Sequence, residues 1–271
     1  MQKTLLVGLA VGLGLAISGC ASLPDVFQNP RYTYENGAVL VGGDGEPILL
    51  MNNTAAVNPD YQQVLDFIRT DLTDQLVYVD RDSSSGATPF VCSDFAEIVH
   101  NNAEEAGIRA AYLSIDFEEG SIGHAINAFE TLDQGLVYID CTGQSFYSEL
   151  EEGDVITMES WDKVAYIENG CKYGVISLNM ATSAAYDFYV QFENKWQDFK
   201  NQLAAYNAEV KSYNQEITGK VYRKGSVELA GIKAWEEQLQ QKESALDALK
   251  REIGISRFKP LGVVKSTWLH W

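Results

Sequence analysis

Three side chains, Cys92, His124 and Asp140 in chain order, are a thiol, an imidazole and a carboxylate of the kind that together build an activated nucleophile. Cys92 follows an extended stretch, residues 88–91, and opens a helix expected over residues 93–106. A helix N-terminus presents unpaired N–H groups and a partial positive charge, the environment that favours thiolate over thiol. His124 stands at the start of a strand expected over 125–129, and Asp140 closes the next, 136–139. If those strands are antiparallel neighbours, the two residues face each other across the ladder. The carboxylate then fixes the imidazole's tautomer while the other ring nitrogen faces the sulfur. Tyr78 and the serines Ser83 to Ser85 are the candidates for a donor to an oxyanion. His100 falls late on the Cys92 helix and reads as a surface or packing residue, and His270 has no motif around it.

Hydrophobic periodicity supplies the elements that must hold these groups. A hairpin is expected from residues 38–41 and 48–51, flanking the glycine-rich turn 42–47. Asn58 reads as a helix N-cap with Pro59 after it, and Tyr61, Val64, Leu65, Ile68 and Leu72 then lie on one helical face. Residues 80–88 form a polar loop. The Cys92 helix carries Phe95, Ile98, Val99, Asn102 and Ala106 at helical spacing and ends at Gly107. Strands follow at 108–115, 125–129 and 136–139, with two short ones near 164–167 and 175–178. From Ala185 the spacing alternates between four and three through Tyr189, Phe192, Trp196, Phe199, Leu203, Tyr206, Val210, Tyr213 and Ile217, a heptad seam. After a break at 218–226 a second seam runs through Ile232, Trp235, Leu239, Leu246, Leu249 and Ile253, interrupted by Lys242. Two seamed helices joined by a short break read as an antiparallel hairpin, its aromatic stripe as packing.

Composition bounds the function. The chain has 271 residues, 38 acidic against 20 basic, and a formal charge of −18, which argues against nucleic acid as a partner. Three scattered histidines and the lack of any CxxC pair argue against zinc, and no glycine-rich phosphate loop appears, so no cofactor is expected. Charge is divided along the chain. Residues 21–194 hold six basic and 29 acidic side chains, whereas residues 195–271 hold 13 basic and nine acidic ones.

The first twenty residues read as an address. Lys3 precedes an apolar run from Leu5 to Ile17, too short to span a bilayer, and Ser18-Gly19-Cys20 closes it in the manner of a secretory signal. The tail Ile17-Ser18-Gly19-Cys20 resembles a bacterial lipobox, which implies a signal peptide over 1–19 and lipidation of Cys20. The protein is then extracytoplasmic and lipid-anchored to the cell membrane. Cys92, Cys141 and Cys171 remain, and in an oxidising compartment two of them can pair. A Cys141–Cys171 disulfide is the expectation that leaves Cys92 as the odd thiol.

The segments Phe90-Val91-Cys92-Ser93-Asp94-Phe95-Ala96, Ala106-Gly107-Ile108-Arg109-Ala110, Gly123-His124-Ala125 and Tyr138-Ile139-Asp140-Cys141-Thr142 together resemble the transglutaminase-like superfamily. The resemblance covers roughly residues 60–145. It implies an α+β, papain-like core in which a cysteine-bearing helix packs on an antiparallel sheet. It also implies acyl transfer through a thioester, with Cys92 as nucleophile, His124 as general base and acid, and Asp140 as the orienting carboxylate. The sequence departs from that family's habits after the histidine, where Ala125-Ile126-Asn127 stands in place of an early tryptophan, and after Asp140, where Cys141 replaces a common proline. The expected organisation is a signal peptide over 1–19, a tether over 20–35, a transglutaminase-like domain over 36–180, a coiled-coil helical hairpin over 181–255 and a C-terminal tail over 256–271. Two functions are open: a cysteine acyl-transfer enzyme acting on peptide or protein amides, hydrolytic or cross-linking, and an inactive lipid-anchored scaffold whose hairpin engages a partner or a second copy.

Overall fold

An extended segment needs partners for its backbone N–H and C=O groups, and residues 27–32 find them a short distance downstream. In the computed structural model, which describes residues 27–118, 122–143, 161–254, 257–258 and 260–271, β1 (Phe27–Tyr32) pairs antiparallel with β4 (Leu49–Asn53). The signal segment and Cys20 lie outside the described residues. The second half of the expected tether is therefore a strand. Between β1 and β4, β2 (Tyr34–Glu35) and β3 (Ala38–Val39) form a tight hairpin. Its turn residues Asn36 and Gly37 both have positive φ, the twist a two-residue hairpin prefers. The hairpin expected over 38–51 is reduced to a bridge between Val41 and Pro47.

Helix α1 (Tyr61–Thr70) is capped two residues later than the sequence suggested. Asp60, not Asn58, accepts from Gln63 N at 2.7 Å, while Gln63 Oε1 accepts from Asp60 N at 2.8 Å, a reciprocal capping box. Helix α2 (Cys92–Glu105) follows the polar loop, and Gly107 ends it with φ +78°. Then come β5 (Ala111–Phe117), β6 (His124–Thr131), β7 (Gly135–Asp140), β8 (Lys163–Tyr166) and β9 (Gly174–Ser177). All are antiparallel to their neighbours in one six-stranded sheet of order β10-β5-β6-β7-β8-β9. The strand completing it, β10 (Val264–His270), lies in the segment expected to be a tail. It pairs with β5 from Val264 opposite Phe117 to His270 opposite Tyr112.

Two apolar cores use alternate residues of this sheet, as a period of two requires. One gathers Phe129, Val137, Ile139, Val164 and Ile176 with Val64 and Ile68 of α1 and Val99 and Ala103 of α2. The other gathers Leu113, Ile115, Ile126, Ala128 and Ala165 with Phe258 and Val264.

Helices α3 (Tyr186–Ile217) and α4 (Val227–Ile253) run antiparallel. Lys195 meets Glu252 at 2.5 Å near the base, and farther out Tyr213 stands edge-on to Trp235 at 5.4 Å. The polar interruption Lys242 pairs with Glu209, which also accepts from Trp235 Nε1. The pair does not begin as a separate unit. Tyr189, Phe192, Trp196 and Phe199 on α3 and Leu246 and Ile253 on α4 are buried in the first core with the sheet residues. Tyr189 lies so close over Gly174 that a Cβ there would stand 2.2 Å from the ring, which is why this strand position is glycine. Because Trp196 shares the sheet's core, Trp196→Ala is expected to destabilise the whole protein by about 3–5 kcal/mol. Urea unfolding monitored by circular dichroism and by Cys141 protection should shift together; loss of the helices alone, with Cys141 still protected, would show the pair to be an independent unit.

Candidate active site

Cys92 owes its position to a carboxylate two residues later. Asp94 Oδ2 accepts from Val91 N at 2.7 Å, closing the first turn of α2, and from Gly43 N at 2.9 Å. Gly43 must be glycine for that approach, since an added Cβ would lie 2.7 Å from the Pro89 carbonyl. On the other side, Val79 and Phe90 exchange backbone hydrogen bonds at 2.8 Å, so Tyr78 enters beside the start of α2 and stacks on Phe95 at 6.4 Å. Cys92 itself is half-buried and packs beside Ala96, Tyr112 and Ala125.

Strand β6 starts with His124 and β7 finishes with Asp140, at one end of the sheet. The register sets Asn127 opposite Ile139, which makes His124 and Asp140 diagonal rather than directly opposed. Diagonal residues on adjacent strands share a face and are within reach of long side chains. His124 Nε2 reaches Asp140 Oδ2 at 2.9 Å, and both side chains are wholly buried. Burial opposes the imidazolium, but the charge of Asp140, the charge of Cys92 and hydrogen bonds with both outweigh it, and the pKa rises to about 9. The structure thus brings the imidazole between the carboxylate and the thiol. Asn127 fastens the sheet to α2, its Nδ2 donating to Ala96 O at 2.8 Å.

Two residues that the sequence did not single out complete the surroundings of Asp140. Tyr173, in the turn before β9, donates its hydroxyl to Oδ2 at 2.7 Å. Lys163 is fully buried, donates to Thr142 O at 2.9 Å and to Trp161 O, and stands 3.9 Å from Oδ1. The Thr142 amide also donates to Oδ1, at 2.9 Å. Neither residue belongs to a motif, and Lys163 falls just before the short strand expected near 164–167, so only the structure shows a lysine inside a buried strand.

The remaining candidates separate. Burial, then the charge of Cys92, holds the Tyr78 hydroxyl well above its ordinary range, so it keeps its proton and stays able to donate. Ser83 and Ser85 are exposed, and the Ser83 hydroxyl is turned to Ser85 at 2.9 Å. His100 is a packing residue: it is wholly buried, meets Met51 O at 3.0 Å and is pushed down to about 4 by burial. His270 lies on β10, 3.6 Å from Glu35.

The expected Cys141–Cys171 disulfide is not formed; Cys92, Cys141 and Cys171 are free thiols. Pairing Asp140 with Lys163 places Cys141 at the β7 end next to Asp162, whereas Cys171 sits in the turn beyond Tyr166, at the other end of β8. That separation, about four residues at 3.3 Å each, exceeds the roughly 7 Å that a disulfide tolerates between Cα atoms. Burial raises the Cys141 thiol well above its usual range. Among the described residues no three His, Cys, Asp or Glu side chains converge to hold a metal ion, and no described helix is long and apolar enough to cross a membrane. Compared with family models, curated proteins and solved structures, the chain matches none.

The raised His124 pKa has a consequence for stability. A group lifted from 6.5 to about 9 on folding stabilises the folded state fully below pH 6.5, and that contribution is lost as pH rises through about 9. The stability advantage of the unaltered protein over Asp140→Asn should therefore shrink across this window, measured by urea unfolding at several pH values. A gap that stays constant would mean that no imidazolium is held by Asp140.

Proposed function

We propose that the chain is a cysteine acyl-transfer enzyme of transglutaminase-like, papain-like architecture, acting on peptide or protein amides and releasing the acyl group to water. The observation that carries this reading is the position of His124, bonded to Asp140 on Nε2 and interacting with Cys92. His124 and Lys163 bring two cations to one carboxylate, and a thiolate at Cys92 would balance them. In the proposed reaction the Cys92 sulfur attacks the amide carbon, and the carbonyl electron pair moves onto oxygen. The Cys92 backbone N–H and the Tyr78 hydroxyl are the donors offered to that oxyanion. The tetrahedral intermediate collapses to a thioester as His124 protonates the departing amine. Neutral His124 then takes a proton from water, whose hydroxide attacks the thioester, and the acid leaves as the thiolate and imidazolium re-form. Water is preferred over an amine acceptor because it is abundant outside the cell.

The reading includes a lipid anchor at Cys20, an extracytoplasmic location and a coiled-coil hairpin in α3 and α4. Its test is alkylation of Cys92 by iodoacetamide as a function of pH, quantified by peptide mass spectrometry. Rapid labelling that persists below about pH 7 and is lost in His124→Ala is the expected result. Labelling that rises only with alkali and ignores His124 would overturn the assignment. With an activated ester as acyl donor, Cys92→Ala should abolish turnover, and Tyr78→Phe should slow it by about 100-fold, the scale of one lost oxyanion donor. An unchanged rate for Tyr78→Phe would remove Tyr78 from the site.

A second reading, a scaffold that keeps the triad as architecture, draws on the far end of the helix pair. Val221 is 98% exposed and Val227 85% exposed there, beside Lys220, Arg223 and Lys224. A function in the living cell that survives Cys92→Ala and fails on replacing Val221 and Val227 with Ser would favour it.

A further inference from the structure

We propose that Tyr173 is a positioning residue for His124: its hydroxyl takes a share of the Asp140 carboxylate and so sets how strongly that carboxylate holds the imidazole. This deepens the acyl-transfer reading and rests on it for its catalytic meaning. Asp140 Oδ2 accepts from His124 Nε2 at 2.9 Å and from Tyr173 at 2.7 Å, so both donors draw on one oxygen. Oδ1 is engaged separately by Thr142 N at 2.9 Å and faces Lys163 at 3.9 Å. Asp140 and Lys163 have no solvent exposure, so water does not compete for these bonds.

The phenol is held rigidly in this task. Its ring stands edge-on to His124, centroids 5.5 Å apart at 83°, and edge-on to Phe117 at 5.8 Å and 77°. Its own amide donates to Gly262 O at 2.9 Å, and the next residue is Gly174, locked under Tyr189 of α3. The hydroxyl therefore cannot swing away without moving a turn that the helix pair covers. As a donor to Oδ2 it stabilises the ionised carboxylate and lowers its basicity. Asp140 then orients the imidazole without drawing the shared proton across, and the imidazole remains able to give up its other proton to a leaving amine. Without the hydroxyl, the carboxylate acts on His124 alone and binds the imidazolium more tightly.

The groups facing His124 are Asp140 from β7, Tyr173 from the turn before β9 and Cys92 from the start of α2, with Lys163 of β8 acting through Asp140. Replacing Cys92 by Ala removes the sulfur and leaves the carboxylate side to be read alone. In that background the titration of His124 is followed by NMR of labelled imidazole, with and without Tyr173→Phe, which keeps the ring and deletes the donor. The expected result is a midpoint higher by about half to one pH unit, the scale at which a charged hydrogen bond alters a protonation equilibrium. If Tyr173→Phe does not fold, Tyr173→Met lacks the same donor and carries the same readout. An unmoved or lowered midpoint in a folded variant overturns the proposal. Because sulfur is absent from this measurement, it is separable from Cys92 alkylation: an ordinary thiol at Cys92 overturns the enzyme reading, whichever way the His124 midpoint moves.

Discussion

A carboxylate sealed from solvent is the constraint around which the site is built. Removing such an ion from water costs several kcal/mol even after relaxation, so Asp140 can exist inside this sheet only where donors and cations meet it on every side. The chain supplies them from four places: His124 at the start of β6, Tyr173 before β9, the Thr142 amide just past β7, and Lys163 opposite on β8. Three hydrogen bonds to a charged group, at about 1.5–3 kcal/mol each, are of the same order as the penalty. The arrangement also constrains the register. A slip of one residue between β6 and β7 would put His124 and Asp140 on opposite faces, leaving a buried charge without its imidazole.

Much of this frame was legible because its signals are local. The Cys92 helix, its glycine stop and the strands β5 to β9 follow from apolar spacing and turn residues, and they emerge within a few residues of their expected limits. Cys92, His124 and Asp140 could be singled out because each is a polar or reactive side chain at the end of an element. What escaped depends on contacts distant in sequence. The diagonal offset of His124 and Asp140 is a property of the ladder, not of either strand. Tyr173 lies 33 positions from Asp140 and gives no local sign of its role. Strand β10 has no clean alternation of its own, and its identity comes from β5, whose free edge it covers. The disulfide expectation failed because leftover status carries no distance information, whereas the two ends of β8 do.

The helix pair changes meaning once its lower turns are seen inside the core. A heptad seam alone describes a self-sufficient helix pair; in the outer half the contacts are between the two helices, with Tyr213 against Trp235 and Glu209 serving both Trp235 and Lys242. The inner half does not. Tyr189 stacks on Tyr166 of β8 at 5.6 Å and closes over Gly174, while Phe192, Trp196 and Phe199 share the sheet's apolar interior. The seam residues therefore answer two requirements along one helix: sheet packing near the base and helix pairing beyond it.

That division bears on whether the pair is a bystander to the chemistry. Gly174 follows Tyr173 directly, so the α3 residue that covers the glycine also fixes the turn from which the phenol reaches Asp140. From the other helix, α4 leads into the segment whose Gly262 carbonyl accepts from the Tyr173 amide, and then into β10. Both ends of the helix pair thus converge on one turn. Three contacts in series connect the helices to His124: the Tyr189 ring on Gly174, the Tyr173 hydroxyl on Asp140, and Asp140 on the imidazole. The enzyme and scaffold readings need not divide between domain and hairpin, since the groups that would perform the chemistry are held in place by the helices that would meet a partner.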